Sequence, residues 1–256
     1  MNKESRVSVC MATYNGERYI TEQLISIISQ LKATDELIII DDCSVDRTFD
    51  IVTRFSEGDN RIRVFKNEFN LGVNQTFDIA INKATGDIIF LSDQDDVWVP
   101  GRVEVMKNSL CSQGKSFLSS NFNLIDSSGN LIKSVNDFSL SPGEGFLFNL
   151  RNILNIFTGR ISYYGCAMCF TKDFARSVTP FPHFVESHDL WIAMAANVKS
   201  DCIHLKDITL SRRIHGSNVS VVSRSFKEKF ISRFVFMRSL FCILSGRNNS
   251  NRRFTL

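Results

Sequence analysis

No run of about 18 apolar residues occurs in this chain, so nothing in it is expected to span a bilayer. Met1–Arg6 is polar and the first apolar stretch after it is very short, so no secretory leader is expected. The net charge of +3 is too small to argue for a nucleic-acid partner. No GxGxxG follows any apolar run, which removes the usual dinucleotide fingerprint. The seven cysteines are odd in number and form no regular framework, which fits reduced thiols in a cytosolic protein. Cys166-Ala-Met-Cys169 is a lone CxxC without a second pair, so zinc is not expected. With no internal repeat and no low-complexity linker, the 256 residues read as one continuous fold.

What is present first is an alternation of strands and helices. Val7–Ala12, Leu37–Ile40, Ile62–Phe65 and Ile88–Leu91 are short apolar runs that predict buried strands. Between them, Glu17–Leu31, Phe49–Phe55 and Val73–Ala84 carry apolar residues at helical spacing. This pattern predicts an α/β fold with a mostly parallel, doubly wound sheet and right-handed crossovers. The later half is less regular. A helix is expected over Pro100–Leu110, a strand over Phe117–Asn121, a hairpin turn at Asp126–Asn130 and a helix over Gly145–Phe157. Ile161–Thr171 reads as a strand in which Gly165 marks a bulge or a close approach. Ser187–Trp191 opens an apolar helix, Cys202–Leu210 returns as a strand, and Arg212–Asn218 is a cationic loop. Phe226–Leu244 ends the chain as a helix.

In such sheets ligands bind at the carboxyl ends of the strands. Those ends hold Thr13–Asn15, Asp41–Asp42, Asn70–Gly72 and Asp93–Asp96, four polar turns on one rim that suit a nucleotide. The last turn follows a buried strand with three carboxylates in four positions: Asp93, Asp95 and Asp96. Like charges this close resist joint ionisation. A divalent cation such as Mg²⁺ or Mn²⁺, whose preferred ligands are carboxylate oxygens, relieves the repulsion.

Taken in order, ATYNG, IIIDDCSVDRT, Asn67–Gly72, SDQDD, SHDLW and IHGSN resemble the motifs of inverting family 2 glycosyltransferases that build bacterial surface polysaccharides, over roughly Val7 to Asn218. The resemblance implies the GT-A fold: a glycosyltransferase domain over 1–222, with its nucleotide part at about 1–100 and its acceptor part at about 101–222. A basic amphipathic helix and tail follow at 223–256. It also implies that Thr13, Tyr14, Asn15, Asp42, Asn70, Gly72 and Asp93 bind the nucleotide. Asp93, Asp95 and His215 then hold Mn²⁺ or Mg²⁺, and Asp189 is the catalytic base. A carboxylate at position 42 suits a pyrimidine N3–H, and Tyr14 suits stacking on the ring. The family often has Glu-Asp at the base, whereas this chain has His188-Asp189. Arg212 and Arg213 are either phosphate ligands or surface residues, and Asp96 reads as a turn residue.

The implied reaction moves a hexose, glucose or galactose in β linkage, from a UDP-sugar to a lipid-diphosphate-linked saccharide during O-antigen or capsule assembly. dTDP-rhamnose is the rival donor. Two other readings are a sugar nucleotidyltransferase and a non-catalytic sugar-nucleotide binder. The first is disfavoured because Thr13–Gly16 offers no Gly-rich, basic triphosphate loop. The C-terminal segment from Arg224 has eight Lys/Arg against one Glu. Phe226, Phe230, Phe234, Met237, Phe241 and Leu244 recur there at three- and four-residue steps. A helix of this kind lies in a membrane interface with its cations toward anionic lipid. Peripheral contact with the inner face of the cytoplasmic membrane is therefore expected. The alternative packs the aromatic stripe on the catalytic domain and leaves the charges solvated.

Overall fold

The computed structural model describes residues 5–135, 146–216 and 226–246. Strands β1 (Val7–Thr13), β2 (Glu36–Asp41), β3 (Ile62–Lys66) and β4 (Ile88–Ser92) alternate with helices α1 (Ile20–Ile28), α2 (Thr48–Gly58) and α3 (Val73–Lys83). The order β3-β2-β1-β4 is parallel throughout, as the sequence pattern predicts. Residues of alternating parity explain why these strands read as continuous apolar runs. Ile38, Ile40, Ile89 and Leu91 face one core, together with α3. Leu37, Ile39, Ile88 and Phe90 face the other, together with α1 and α2.

Beyond β4 the sheet becomes mixed. A two-residue β5 (Val97–Trp98) leads to α4 (Arg102–Ser112), then to β6 (Phe117–Ile125) and β7 (Leu131–Val135). The turn between β6 and β7 is the predicted hairpin, closed by Asp126, whose carboxylate accepts from the backbone of Ser128 and Asn130. Next come α5 (Phe146–Thr158), a 3-10 turn at Gly165–Ala167, β8 (Met168–Thr171) and α6 (Lys172–Val178). The chain continues through α7 (His188–Val198) and β9 (Cys202–Arg213) to α8 (Phe226–Leu244). β8 runs antiparallel between β4 and β6, and β9 pairs with β6 in parallel and with β5 antiparallel.

Several expectations are corrected here. The strand foreseen over Ile161–Thr171 is only Met168–Thr171, because the backbone turns at Gly165. Gly165 marks a close approach rather than a bulge: a Cβ there would sit 2.5 Å from an Asp189 carboxylate oxygen. Arg212 and Arg213 belong to β9, not to a loop. Gly145 and Ser217-Asn218, parts of the expected α5 start and cationic loop, lie outside the described residues. The terminal helix has the predicted bounds, but its faces are arranged against the packed alternative. Phe236 is buried and Leu240 and Ile243 pack on the core, while Phe230, Phe234, Met237, Phe241 and Leu244 are exposed. Two of its cations lie over aromatic rings: half-buried Arg233 over Phe157 and exposed Arg238 over Phe184.

Candidate active site

The carboxyl ends of β1, β2 and β3 form one hydrogen-bonded rim. Thr13 is buried and its hydroxyl donates to Asp41 Oδ2 at 3.0 Å. Asp41 also accepts from Ser44 N and Ser44 Oγ, at 2.9 and 2.6 Å, so it is scaffold. Asn15 sits at φ +49°, a left-handed conformation that Asn tolerates better than most residues. Its Oδ1 accepts from Val45 N, and its backbone N donates to Ser44 Oγ, each at 2.9 Å. The side chains of Thr13 and Asn15 therefore shape the turn, and Tyr14 between them is exposed. Asp42 binds the neighbouring loop, accepting from Asn67 Nδ2, Leu71 N and Gly72 N, each at 2.8 Å. Gly72 has φ +83°, which suits glycine, and Asn70 lines the same cleft.

The acidic turn after β4 is tied to this rim by Gln94, the middle residue of Asp93-Gln94-Asp95. Its Oε1 accepts from Tyr14 N and its Nε2 donates to Tyr14 O, both at 2.9 Å. A Cβ on Gly16 would sit 2.2 Å from Gln94 Oε1 and would push the amide out of this clamp. The sequence reading missed this clamp, since nothing in the spacing announces a side-chain amide reaching a backbone eighty residues away.

β9 carries Arg212–Arg213 over the acidic turn. Arg213 is buried and works as a staple. Its backbone N donates to Asp96 Oδ1 at 3.0 Å, and its guanidinium to Asp95 O at 2.9 Å, Asp126 O at 3.3 Å and Glu22 Oε2 at 2.6 Å. It is thus neither a surface residue nor an available phosphate ligand. Arg212 lies over the Tyr164 ring at 4.5 Å and lines the cleft. His215 follows, with Nε2 2.7 Å from Asp95 Oδ2.

Two groupings of metal-ligand type result. Asp95 and His215 meet directly, as the motifs imply. Asp93 lies nearest Asp96 and Cys166, with ligand atoms of the three within 4.8 Å of one another. Burial, Asp96 and Asp93 push the Cys166 thiol well above its ordinary range. Asp96 Oδ2 is buried without a hydrogen-bond partner. Burial, then the Asp95 and Asp189 carboxylates, push Asp93 upward. Burial, Asp93 and Asp95 do the same to Asp96. This excess of negative charge fits a hard divalent cation.

Asp189 stands in the first turn of α7, where a carboxylate suits the helix dipole. Its Oδ1 is 2.7 Å from His188 Nε2. His188 is held from behind: its backbone N is 2.9 Å and its Nδ1 3.1 Å from Asn74 Oδ1. Asn74 Nδ2 donates to Val185 O at 3.0 Å, which fixes the amide so that its oxygen faces the ring. Both imidazole nitrogens therefore face oxygens, the arrangement of an imidazolium. Burial opposes that charge, but Asp189 and then Asp93 outweigh it, and His188 is shifted upward. Burial also opposes the Asp189 carboxylate, yet His188 holds it below its usual range, ionised at neutral pH. The residue that departs from the usual Glu-Asp pattern is thus the counter-ion of the candidate base.

A cleft of about 1820 Å³ contains Thr13, Tyr14, Asn15, Asp42, Asn70, Gly72, Asp93, Asp95, Asp189 and His215. Every site residue drawn from the sequence opens into this one space.

The sequence profile described as Glycosyl transferase family 2 matches residues 8–178. The chain is similar to UDP-Glc:alpha-D-GlcNAc-diphosphoundecaprenol beta-1,3-glucosyltransferase WfgD of Escherichia coli, 28% identical over 231 residues, covering 87% of this chain and 81% of the relative. It is also similar to the putative teichuronic acid biosynthesis glycosyltransferase TuaG of Bacillus subtilis strain 168, 30% identical over 128 residues, and spans about half (51%) of that protein. Among solved structures, S. aureus TarS 1–349 in complex with UDP-GlcNAc matches with a TM-score of 0.72 at 21% identity, over 97% of this chain and 68% of that one. That match shows the expected GT-A fold.

Proposed function

The chain belongs to glycosyl transferase family 2, and from that premise we propose that it is an inverting hexosyltransferase. It moves glucose or galactose from a UDP-sugar to a lipid-diphosphate-linked saccharide, forming a β linkage in O-antigen or capsule assembly. The observation that carries this reading is the convergence of an ionised Asp189 with the Asp93–Asp96 turn in a single cleft. The reaction that WfgD is named for, a β-1,3 transfer of glucose from UDP-Glc to GlcNAc-diphosphoundecaprenol, supports the donor and acceptor classes.

The acceptor hydroxyl attacks the anomeric carbon from the face opposite the nucleotide. A carbon–oxygen bond forms there as the bond from that carbon to the diphosphate breaks, and the electron pair leaves with the diphosphate. The hydroxyl proton passes to Asp189, a transfer that contributes about 10²–10⁴-fold in rate in other enzymes. His188 holds the carboxylate in place and keeps it ionised until then. Tyr14 and the Asp42–Gly72 loop hold the nucleobase and ribose, and Gln94 fixes the distance from that rim to the acidic turn. Asp93, Asp95 and His215 would hold Mn²⁺ or Mg²⁺, which when bound neutralises charge growing on the leaving diphosphate.

No helix among the described residues is long and apolar enough to cross a membrane. Contact with the inner membrane face is assigned to the 223–256 segment, whose exposed α8 stripe and excess of Lys/Arg fit an anionic interface.

Calorimetric titration of UDP and of dTDP, each with Mn²⁺ and with chelator, tests the donor. The expected result is UDP binding that is lost on chelation. A preference for dTDP would redirect the reading to rhamnosyl transfer, and binding of neither by the folded protein would remove its basis.

A further inference from the structure

The cleft is also walled by the end of α5, the start of α7 and α8, through Thr158, Gly159, Glu186, Leu190, Ser232 and Arg233. None of these residues belongs to the strand-end turns assigned to the donor, which leaves this wall for an acceptor. α8 is part of it because Phe236, Leu240 and Ile243 dock the helix on the core, and Ser232 Oγ donates to the Glu186 carboxylate at 2.9 Å. At about 100° per residue, Arg233 projects between that docked face and the exposed stripe of Phe230, Phe234 and Met237. Its guanidinium lies 5.2 Å from the Phe157 ring centre, beside Gly159. Among the described residues no carboxylate is paired with it. The other cleft cations belong to the donor side: Arg18 beside the first turn, Arg212 over Tyr164, and Arg213 bound to the acidic turn.

We propose that Arg233 is the anion-binding group of the acceptor subsite and takes the diphosphate of the lipid-linked saccharide, with the apolar stripe of α8 leading the lipid toward the bilayer. The inference rests on the reading that the acceptor is a diphospholipid. A guanidinium next to an aromatic face and a glycine gives a diphosphate both charge and room for two parallel N–H···O bonds. α8 then does two things at once: one edge enters the catalytic cleft while the adjoining face meets lipid.

The test uses the full chain, a UDP-hexose, and two soluble acceptors that carry the same saccharide. One is a short-chain alkyl diphosphate and the other a neutral alkyl glycoside. Wild type should prefer the diphosphate. Arg233→Ala should raise KM for the diphosphate acceptor about 10- to 100-fold, with kcat little changed and KM for the neutral acceptor unmoved. Arg233→Lys should recover part of the loss, and UDP binding by calorimetry should match wild type in both variants. An unchanged KM for the diphosphate acceptor, or an equal loss on both acceptors, overturns the proposal. So does an effect confined to binding of phosphatidylglycerol vesicles, which would assign Arg233 to lipid headgroups. If wild type itself does not distinguish the two acceptors, the diphospholipid reading falls before any variant is made.

Discussion

At the scale of single residues, the proposed base is defined by its neighbours more than by its own identity. Asp189 is an ordinary first-turn carboxylate in sequence, and only the His188–Asn74 arrangement behind it shows why it stays ionised when buried. Asp189→Asn should lower kcat by about 10²–10⁴-fold and leave UDP binding unchanged. Gly165→Ala is predicted to act on the same carboxylate through space, because the added Cβ would meet Asp189 Oδ1 at 2.5 Å. A misplacement of that kind costs on the order of 10²-fold in rate. Steady-state kinetics should show it as a loss of kcat at unchanged donor KM. Substituting Gly72, where a Cβ meets nothing within 4 Å, should instead strain the backbone at positive φ and weaken donor binding.

At the scale of elements, the parallel half was legible in the sequence because its inner strands, buried on both faces, read as nearly continuous apolar runs, VSVCMA, LIII and IIFL, while the edge strand IRVF is half-buried and carries Arg63. The positions of Thr13, Asp42 and Asp93 followed, since each is the first polar residue beyond such a run or next to it. β5 was not legible, and at Gly165 the sequence offered a bulge or a close approach without showing the turn that shortens the strand or the partner it meets. A two-residue strand has no period, and a glycine forced by a carboxylate twenty-four positions later leaves no local signal. Arg213 was misjudged for a related reason: its four partners come from α1, the acidic turn and the β6–β7 hairpin. Arg213→Ala should therefore lower stability by about 2–3 kcal/mol and loosen the Asp95–Asp96 backbone. Thermal unfolding with and without Mn²⁺ and UDP checks this: a variant whose melting temperature matches wild type would show the staple to be dispensable.

At the scale of the whole molecule, β9 and α7 share a buried polar network through Tyr163, which also lines the cleft. Tyr163 Oη lies 2.7 Å from His204 Nε2, and Asn197 Nδ2 donates to Tyr163 at 3.0 Å. Burial pushes His204 down from 6.5 to about 4, so the folded protein binds its proton less readily than the unfolded chain. Stability from this group is complete above about pH 6.5 and is lost as pH falls toward 4, up to about 3 kcal/mol in all. Melting temperature should drop across that window, and His204→Gln should flatten the drop.

The family, the GT-A fold and the cleft leave one claim on which the mechanism turns: inversion at the anomeric carbon, assisted by Asp189. Proton NMR of the product formed from a UDP-α-hexose and a diphospholipid-linked saccharide measures it directly. The predicted result is a β-linked product from wild type and, with the UDP-hexose saturating, product formation about 10²–10⁴-fold slower from Asp189→Asn. An α-linked product, or turnover undiminished in that variant, would contradict the account.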